Sequence, residues 1–216
     1  MSPVVLILAV IISITVSMFV HVWSMALAGW LVGAEIQAVG VGFGPRMLQF
    51  KTGTVCINIH YIPTGGSVKF GDSFQNIHPI KRVFISVAGC LGLLCLASIS
   101  FGIPETFIKF QNGFGQFFYG AISPRAVGSE LLNELYSFLK VNSFFACVAL
   151  VATKLAAANM LPVPIFNGGD IVLTLVGWIK PIPLKIREYS QQIGLLVVLT
   201  MLCSWFVAIF YFFYRL

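Results

Sequence analysis

The sequence is short of charge. Only 9% of its 216 residues are charged, whereas 58% are hydrophobic, and the mean hydropathy is +0.95. A soluble domain of this composition would have too little polar surface to stay dissolved. No Asp, Glu, Lys or Arg occurs before Glu35. These shortages exclude an ordinary water-soluble domain and predict an integral membrane protein.

Runs of basic residues and metal-binding cysteine pairs are also missing. The net charge is +6, but the 13 Lys and Arg residues are scattered along the chain. We therefore expect no nucleic-acid partner. The 5 cysteines form no CxxC pair, and four of them lie in apolar segments, where cysteine behaves as a small hydrophobic residue. We expect them to pack rather than to form disulfides or a cysteine zinc site.

Long apolar runs predict about four transmembrane helices. They cover residues 4–30, 83–103, 141–179 and 189–214. The first run has no cation before it and is too long for the core of a signal peptide, so we interpret it as a retained helix. The third run is too long for one span. We expect it to break at Pro162 and Pro164, because proline removes a backbone donor and clashes with the preceding turn.

Between the first two runs the hydrophobic period changes to two. Val55, Ile57, Ile59 and Tyr61 alternate with polar residues, which is the pattern of a strand. We predict a β element over residues 46–70, lying at the membrane interface or against protein, because lipid cannot satisfy the backbone of a strand. The expected fold is an all-α polytopic membrane protein with a small membrane-associated β-sheet, in one domain covering residues 1–216.

Two further features lie between the second and third runs. Residues 107–119 are rich in aromatic residues and glycine, which is typical of an interfacial or re-entrant loop. Ser129 can cap an amphipathic helix that follows it. We expect this helix to lie on the membrane surface or to lengthen the third span.

The distribution of cations predicts an orientation in the membrane. Eight Lys and Arg residues lie in the segments that follow the first and third runs, and four lie in the other segments outside the runs. By the positive-inside rule the β element is then cytoplasmic. We therefore expect a multi-pass membrane protein with both termini outside the cytoplasm.

Two motifs on apolar helices carry most of the functional information. The first is the segment His21-Val22-Trp23-Ser24-Met25, and the second runs from Asn159 to Gly169. Together they resemble the two signatures of the site-2 (M50-type) intramembrane zinc metalloproteases. In that family the first signature reads H-E-x-x-H, and the second has an Asp immediately before Gly-Gly. Here Val22 replaces the Glu, Met25 the second His and Asn167 the Asp.

The resemblance extends along the whole chain. Residues 42–45 are similar to the exit of the family's first helix, and residues 62–69 to the proline and glycine turn of its β element. Residues 88–92 only partly follow the pattern of its second helix, and no PDZ-like insert fits between the second and third runs. The order and spacing of the motifs agree with the family throughout.

The resemblance implies a zinc site whose ligands have been replaced. In active members two His and an Asp hold the metal, and the Glu takes a proton from bound water. Val22 cannot accept a proton, Met25 offers a soft thioether and Asn167 brings no charge. We therefore expect no catalytic residue and no metal at the degenerate positions His21, Val22, Met25 and Asn167. The alternative is a two-ligand zinc site of His21 and Asp170, which would make the chain a metalloendopeptidase.

Simpler roles are also open for these polar residues. His21 without co-ligands is interpreted as a hydrogen-bonded packing residue, although a histidine in a span is a functional candidate by default. Asn159 and Asn167 are interpreted as caps of the helix ends that the prolines free. Asp170 is interpreted as an interfacial residue, with an ion path as the alternative.

The leading hypothesis is a catalytically silent member of this family. It would serve as a binding or scaffold subunit for a transmembrane protein client or for the subunits of a membrane complex. The resemblance places the client in a groove between the β element and the third span. The alternatives are a metalloprotease with a non-standard zinc site and a purely structural subunit whose groove is filled by lipid or a partner helix. The predicted client-binding residues are Asn58, His60, Tyr61, Gly65, Gly66, Asn159 and Pro162.

Overall fold

The computed structural model describes residues 3–215, excluding the side chains of residues 3, 4, 6, 63, 64 and 75. The elements of this range are α1 (Pro3–Leu31), β1 (Ile36–Thr52), β2 (Val55–Phe70), α2 (Pro79–Ile122), α3 (Ser129–Val141), α4 (Phe144–Asn159), α5 (Asn167–Ile179) and α6 (Leu184–Arg215). The predicted class, a helical membrane protein with a small sheet after its first helix, is confirmed.

Three helices within residues 3–215 are long and apolar enough to cross a membrane: Ile7–Leu31 of α1, α2 and α6. The predicted third run, residues 141–179, is divided between the 16-residue α4 and the 13-residue α5. The seven residues between them include Pro162 and Pro164 and form turns instead of helix. A fourth span would require α4 and α5 to cross the bilayer together, and the count of four stays a prediction.

The first helix satisfies its polar side chains internally. The hydroxyls of Ser13 and Ser17 each donate to the carbonyl oxygen four residues earlier, at 2.7 Å, so two buried polar groups cost little in an apolar helix. α1 ends because Gly33 adopts a left-handed backbone with φ of 81°. The Ala34 N–H then donates to the Gly29 carbonyl at 2.9 Å, and the chain turns into the sheet.

The sheet begins earlier than the sequence predicts. β1 starts at Ile36, ten residues before the predicted start at residue 46. Residues 38–41 pair with residues 66–69 on one side and with residues 56–59 on the other. Val39 and Val41 are buried with Met18, Val22 and Ala26 of α1, so this part of the sheet is anchored against the first helix.

Alternating glycines explain why the sequence pattern does not predict this first segment of β1 as a strand. Glycine is depleted in strands, and residues 40, 42 and 44 are all glycine. Gly42 has a φ of 89°, and a side chain there would lie 2.5 Å from the Ile62 carbonyl oxygen. The two strands therefore approach each other at a bulge that only glycine fits.

α2 reverses its direction at Gly102. This residue has φ of 73° and ψ of 164°, which is not helical, and Pro104 follows it. The residues that α2 meets in the other helices show the reversal. In chain order these contacts are Ser86 with Asp170, Ser100 with Phe145, Lys109 with Lys154 and Gly113 with Ala157. The first half of α2 thus runs toward the start of α4, and the second half runs back alongside it.

The second half of α2 and α3 form a helical hairpin. In α3, the Phe138 ring returns to 6.3 Å from the Phe101 ring, next to the reversal, and the Tyr136 ring lies 6.0 Å from the Phe212 ring of α6. The hairpin therefore starts and ends near the same level of the molecule. Residues 107–119 are helical, within α2, rather than the predicted loop, and their interfacial or re-entrant placement stays a prediction.

The glycines of this hairpin do not form turns. They allow its helices to pack closely against neighbouring helices. A side chain at Gly113 would lie 2.7 Å from the Ala157 Cβ, and one at Gly120 would lie 2.4 Å from the Trp205 ring. The predicted cap at Ser129 is wrong. Its hydroxyl donates backward to the Arg125 carbonyl at 2.7 Å, because a π-turn over Pro124–Gly128 leads directly into α3.

Candidate functional site

α1 places His21, Val22 and Met25 against the second helix and the sheet. His21 and Met25 are one helical turn apart and therefore share a face. His21 is only 5% exposed and Val22 only 1%. At Gly89 of α2 a side chain would lie 2.5 Å from His21 Cε1 and 2.8 Å from Met25 Cγ. The glycine therefore makes room for both side chains.

Asn167, at the start of α5, completes the cluster. Its Nδ2 lies 3.5 Å from His21 Nε2 and 3.7 Å from Met25 Sδ. The same nitrogen donates to the Ser86 carbonyl of α2 at 2.7 Å. The structure thus brings the three degenerate positions of the two motifs together, with Ser86 as a fourth member that the sequence did not indicate. We call these four residues the His21 cluster.

The amide of Asn167 has a fixed orientation in this cluster. At 2.7 Å the Ser86 carbonyl oxygen requires a donor, so the NH2 group, and not Oδ1, must face it. That same NH2 group faces His21 and Met25. One of its hydrogens serves Ser86, and the other is directed toward the imidazole nitrogen. The NH2 group of Asn167 therefore points into the space beside His21 and Met25.

The donor set of the cluster does not fit zinc. Zinc sites in hydrolases use three strong ligands, from neutral imidazole, thiolate or carboxylate. Here one imidazole is joined by a neutral thioether and by an amide whose NH2 group has no lone pair to give. Among the described residues, 3–215, no group of three or more His, Cys, Asp or Glu side chains is placed to hold a metal ion.

Val22 lies at the position that the family resemblance assigns to a catalytic Glu. A side chain on Gly66 of β2 would lie 2.5 Å from Val22 Cγ2, so the valine methyl group packs directly beneath the strand. An apolar contact stands where a proton acceptor would be needed. Gly66, a predicted client-binding residue, is therefore in contact with the degenerate site.

Asp170 follows one turn after Asn167 and is engaged by other groups. Its Oδ2 accepts from the Ser86 hydroxyl at 2.9 Å, and its Oδ1 lies 3.3 Å from Arg187 Nη2 of α6. Both carboxylate oxygens thus have partners other than His21. The two-ligand site of His21 and Asp170 stays a prediction. The role of Arg187 had no signal in the sequence, because nothing links α6 to the motif.

The Gly-Gly of the second motif has a steric reason. At Gly168 a side chain would lie 2.2 Å from the Met160 carbonyl oxygen, and at Gly169 one would lie 2.1 Å from the Val163 carbonyl oxygen. The segment broken by the prolines folds back over the start of α5. Two glycines are needed there to hold Asn167 against α1 and α2.

The predicted client-binding residues occupy two places. Asn58 lies inside the sheet, paired with Gly40 and Gln49, and His60 Nδ1 is 2.7 Å from the Gly44 carbonyl oxygen. Tyr61 is 65% exposed. These three residues and Gly65 therefore lie on or beside the bulged region of the sheet.

The other two predicted residues lie at the end of α4. The Asn159 amide donates to the Leu155 carbonyl at 2.9 Å, which is a bond within its own helix rather than a cap of the break. Pro162 is exposed. Leu155 packs against the buried cluster that α1 and β1 share, which includes Val22 and Val39. A client groove between the β element and the third run stays a prediction.

The fold and the two motifs together define a helical membrane protein whose His21 cluster joins α1, α2 and α5. A model of peptidase family M50 matches residues 7–201 of the chain. The chain belongs to this family.

Curated relatives share parts of the chain. Two bacterial proteins, each named “Putative zinc metalloprotease”, are 29% identical over 144 residues in Nostoc sp. and 30% identical over 105 residues in Chlamydia trachomatis. These matches cover 63% and 39% of this chain, but only 38% and 17% of the relatives. “Membrane metalloprotease ARASP, chloroplastic” of Arabidopsis thaliana is 25% identical over 101 residues, 45% of this chain and 21% of the relative. The chain therefore spans well under half the length of these relatives.

Proposed function

We propose that this M50-family chain binds a membrane-spanning client without cutting it. The observation that carries the proposal is the bond from Asn167 Nδ2 to the Ser86 carbonyl, which directs the NH2 group into the space between His21 and Met25. With its NH2 group facing His21 and Met25, Asn167 presents no lone pair to a metal ion at these two residues. In this proposal the functional part of the family fold is the surface that binds a client.

The surface for this client combines exposed apolar groups with backbone. Tyr61 is 65% exposed, Phe43 58% and Ile62 52%, all at the bulged region of the sheet. Exposed aromatic side chains of this kind are frequent anchors in protein interfaces. The sheet edge supplies hydrogen-bonding groups for an extended segment, and we place the client between this edge and the end of α4. An unwound stretch of a transmembrane segment matches this combination.

Site-specific photocrosslinking in membranes tests the proposal. A photoreactive residue replacing Tyr61 should form a stable adduct with a membrane protein. The matched control is Tyr189 of α6, which is equally exposed at 63% but lies away from the sheet. Adducts at both positions, or at neither, would contradict a specific client surface at the sheet.

A second candidate function is proteolysis with a non-standard metal site. The names of the relatives favour it, since those proteins are named as metalloproteases. In this candidate His21 and Asp170 would hold the ion together with water or a partner side chain. Elemental analysis of the purified protein separates the two candidates. Stoichiometric zinc that is lost in His21→Ala would support proteolysis and would contradict binding without cleavage.

A further inference from the structure

A cavity of about 340 Å³ lies where the start of α2, the end of α5 and the start of α6 meet. It is distinct from the His21 cluster, although Asp170 lies between the two. Two arginines, Arg82 and Arg187, line it together with Thr174, Trp178 and Ile182. Its volume is that of a small-ligand site, and its walls are apolar apart from the arginines and the threonine.

Two polar atoms of this lining have no partner in the protein. Thr174 is 6% exposed, and its Oγ1 is buried without a hydrogen bond among the described residues, 3–215. Arg82 Nε is likewise buried and unsatisfied within that range. Buried donors without acceptors are rare in folded proteins, because each one costs the free energy of its lost hydration. Two in one cavity indicate that a ligand supplies the acceptors.

The charges of the lining do not balance. Arg187 pairs with Asp170 at 3.3 Å, whereas Arg82 forms no ion pair with any described residue. The guanidinium of Arg82 instead lies over the Phe74 ring, 5.3 Å from its centroid, which is a weaker interaction than a carboxylate would give. The cavity therefore carries one net positive charge and is suited to an anion.

The chemistry of the two arginines and the threonine matches a phosphate group. Guanidinium groups bind phosphate oxygens through two parallel hydrogen bonds, and a threonine hydroxyl can donate a further bond. The apolar wall of Trp178 and Ile182 suits a group with a hydrocarbon continuation. Further cations (Lys81 and Lys180) lie on the segments that form this end of the molecule.

We propose that this cavity binds the phosphate of an anionic phospholipid from the leaflet on the side of the β-sheet. Basic pockets between transmembrane helices on the cytoplasmic side are suited to anionic head groups, which that leaflet supplies. The predicted orientation places the sheet, and with it this cavity, on that side. The lipid would hold α2, α5 and α6 together where the protein's own hydrogen bonds do not.

Thermal unfolding in mixed micelles tests the proposal. The purified chain is unfolded in detergent micelles that contain either phosphatidylglycerol or zwitterionic phosphatidylcholine. We expect phosphatidylglycerol to raise the Tm by about 4 °C or more relative to phosphatidylcholine. Arg82→Gln should abolish this rise. Lys185→Gln, which removes the same charge from an exposed residue of α6, should retain it.

A further measurement distinguishes lipid phosphate from free phosphate. Further variants cover the case in which Arg82→Gln does not fold. Inorganic phosphate at the same concentration should produce no rise. An equal rise would show that the site takes free phosphate, and it would overturn the lipid. If Arg82→Gln does not fold, Arg82→Lys and Thr174→Val decide, because both should fold and should reduce the rise. A full rise in Arg82→Gln, or in both of the milder variants, would overturn the proposal.

Discussion

The His21 cluster and the arginine cavity (Arg82, Thr174, Arg187) lie on opposite sides of Asp170 and differ in how their polar groups are satisfied. In the first, the amide of Asn167 serves the Ser86 carbonyl and the imidazole of His21. In the second, Arg82 Nε and Thr174 Oγ1 have no partner among the described residues. The His21 cluster is itself only partly satisfied, because His21 Nδ1 is buried without a hydrogen-bond partner among the same residues. The two clusters therefore differ in degree: the first has a shared internal donor in Asn167, and the second has none at these two atoms.

The largest expected effect comes from introducing zinc ligands into the His21 cluster. Met25→His together with Asn167→Asp would place two further ligands beside His21. We expect about one zinc per chain after exchange into zinc-limited buffer, because three such ligands bind zinc with ~10 kcal/mol or more. Elemental analysis measures it. The control variant Met18→His with Asn159→Asp has the same composition and should bind none. Equal zinc in both variants would contradict the inference that these positions form one site.

A smaller effect is expected from the glycine that holds Asn167 in place. Gly168→Ala should destabilise the protein by about 3 kcal/mol, because the new methyl group would collide with the Met160 carbonyl oxygen. Gly177→Ala is the control in the same helix, where the nearest atom is 3.9 Å away. It should be neutral or stabilising by up to ~1 kcal/mol. Thermal unfolding of both variants in detergent compares them, and similar losses would argue against the folded-back segment.

Replacing Asn167 itself should lower the free energy of unfolding by less than Gly168→Ala does. Asn167→Ala deprives the Ser86 carbonyl and His21 of their shared donor, and we expect a loss of about 1–2 kcal/mol in the free energy of unfolding. Asn142→Ala removes a comparable bond, from Asn142 Nδ2 to the Phe138 carbonyl, at an exposed site. Its loss should be below ~0.5 kcal/mol. No difference between the two variants would mean that the cluster is not held by this amide.

The smallest effect concerns the residue between the two clusters. Asp170→Asn removes the carboxylate that pairs with Arg187, and both side chains of this pair are about one-third exposed (32% and 39%). Such pairs contribute at most ~1 kcal/mol. We therefore expect up to about a fivefold gain in phosphatidylglycerol affinity as Arg187 becomes free. Titration with the lipid measures this gain, and weaker binding would indicate that Asp170 positions Arg187 for the ligand.

Some of the fold follows directly from the sequence because its cause is local. The low charge and the apolar runs predict the membrane helices, and Pro162 with Pro164 predicts the break between α4 and α5. The alternation after Val55 predicts β2. Each of these signals lies within a single segment, so one sequence is enough to detect it.

Other features depend on contacts between distant segments. The reversal at Gly102 looks like the end of a span, since glycine and proline mark a break but not the direction that follows it. The start of β1 contains three glycines whose surroundings are set by the other strand: Ser67 at Gly40, Ile62 and His60 at Gly42, and Ile62 at Gly44. The Ser86 carbonyl is a backbone group and has no sequence signature. The pairing of Arg82 with Arg187 in one cavity joins two helices that no motif connects.

The contact between Val22 and Gly66 also bears on how the family could evolve. Because a hydrocarbon group fills the space under the strand, a return of glutamate at residue 22 would push a carboxylate against the backbone of the sheet. Under the function proposed above, a gain of hydrolysis would require a compensating shift of the strand as well as new metal ligands. Single substitutions at residue 22 would then not be enough to produce it.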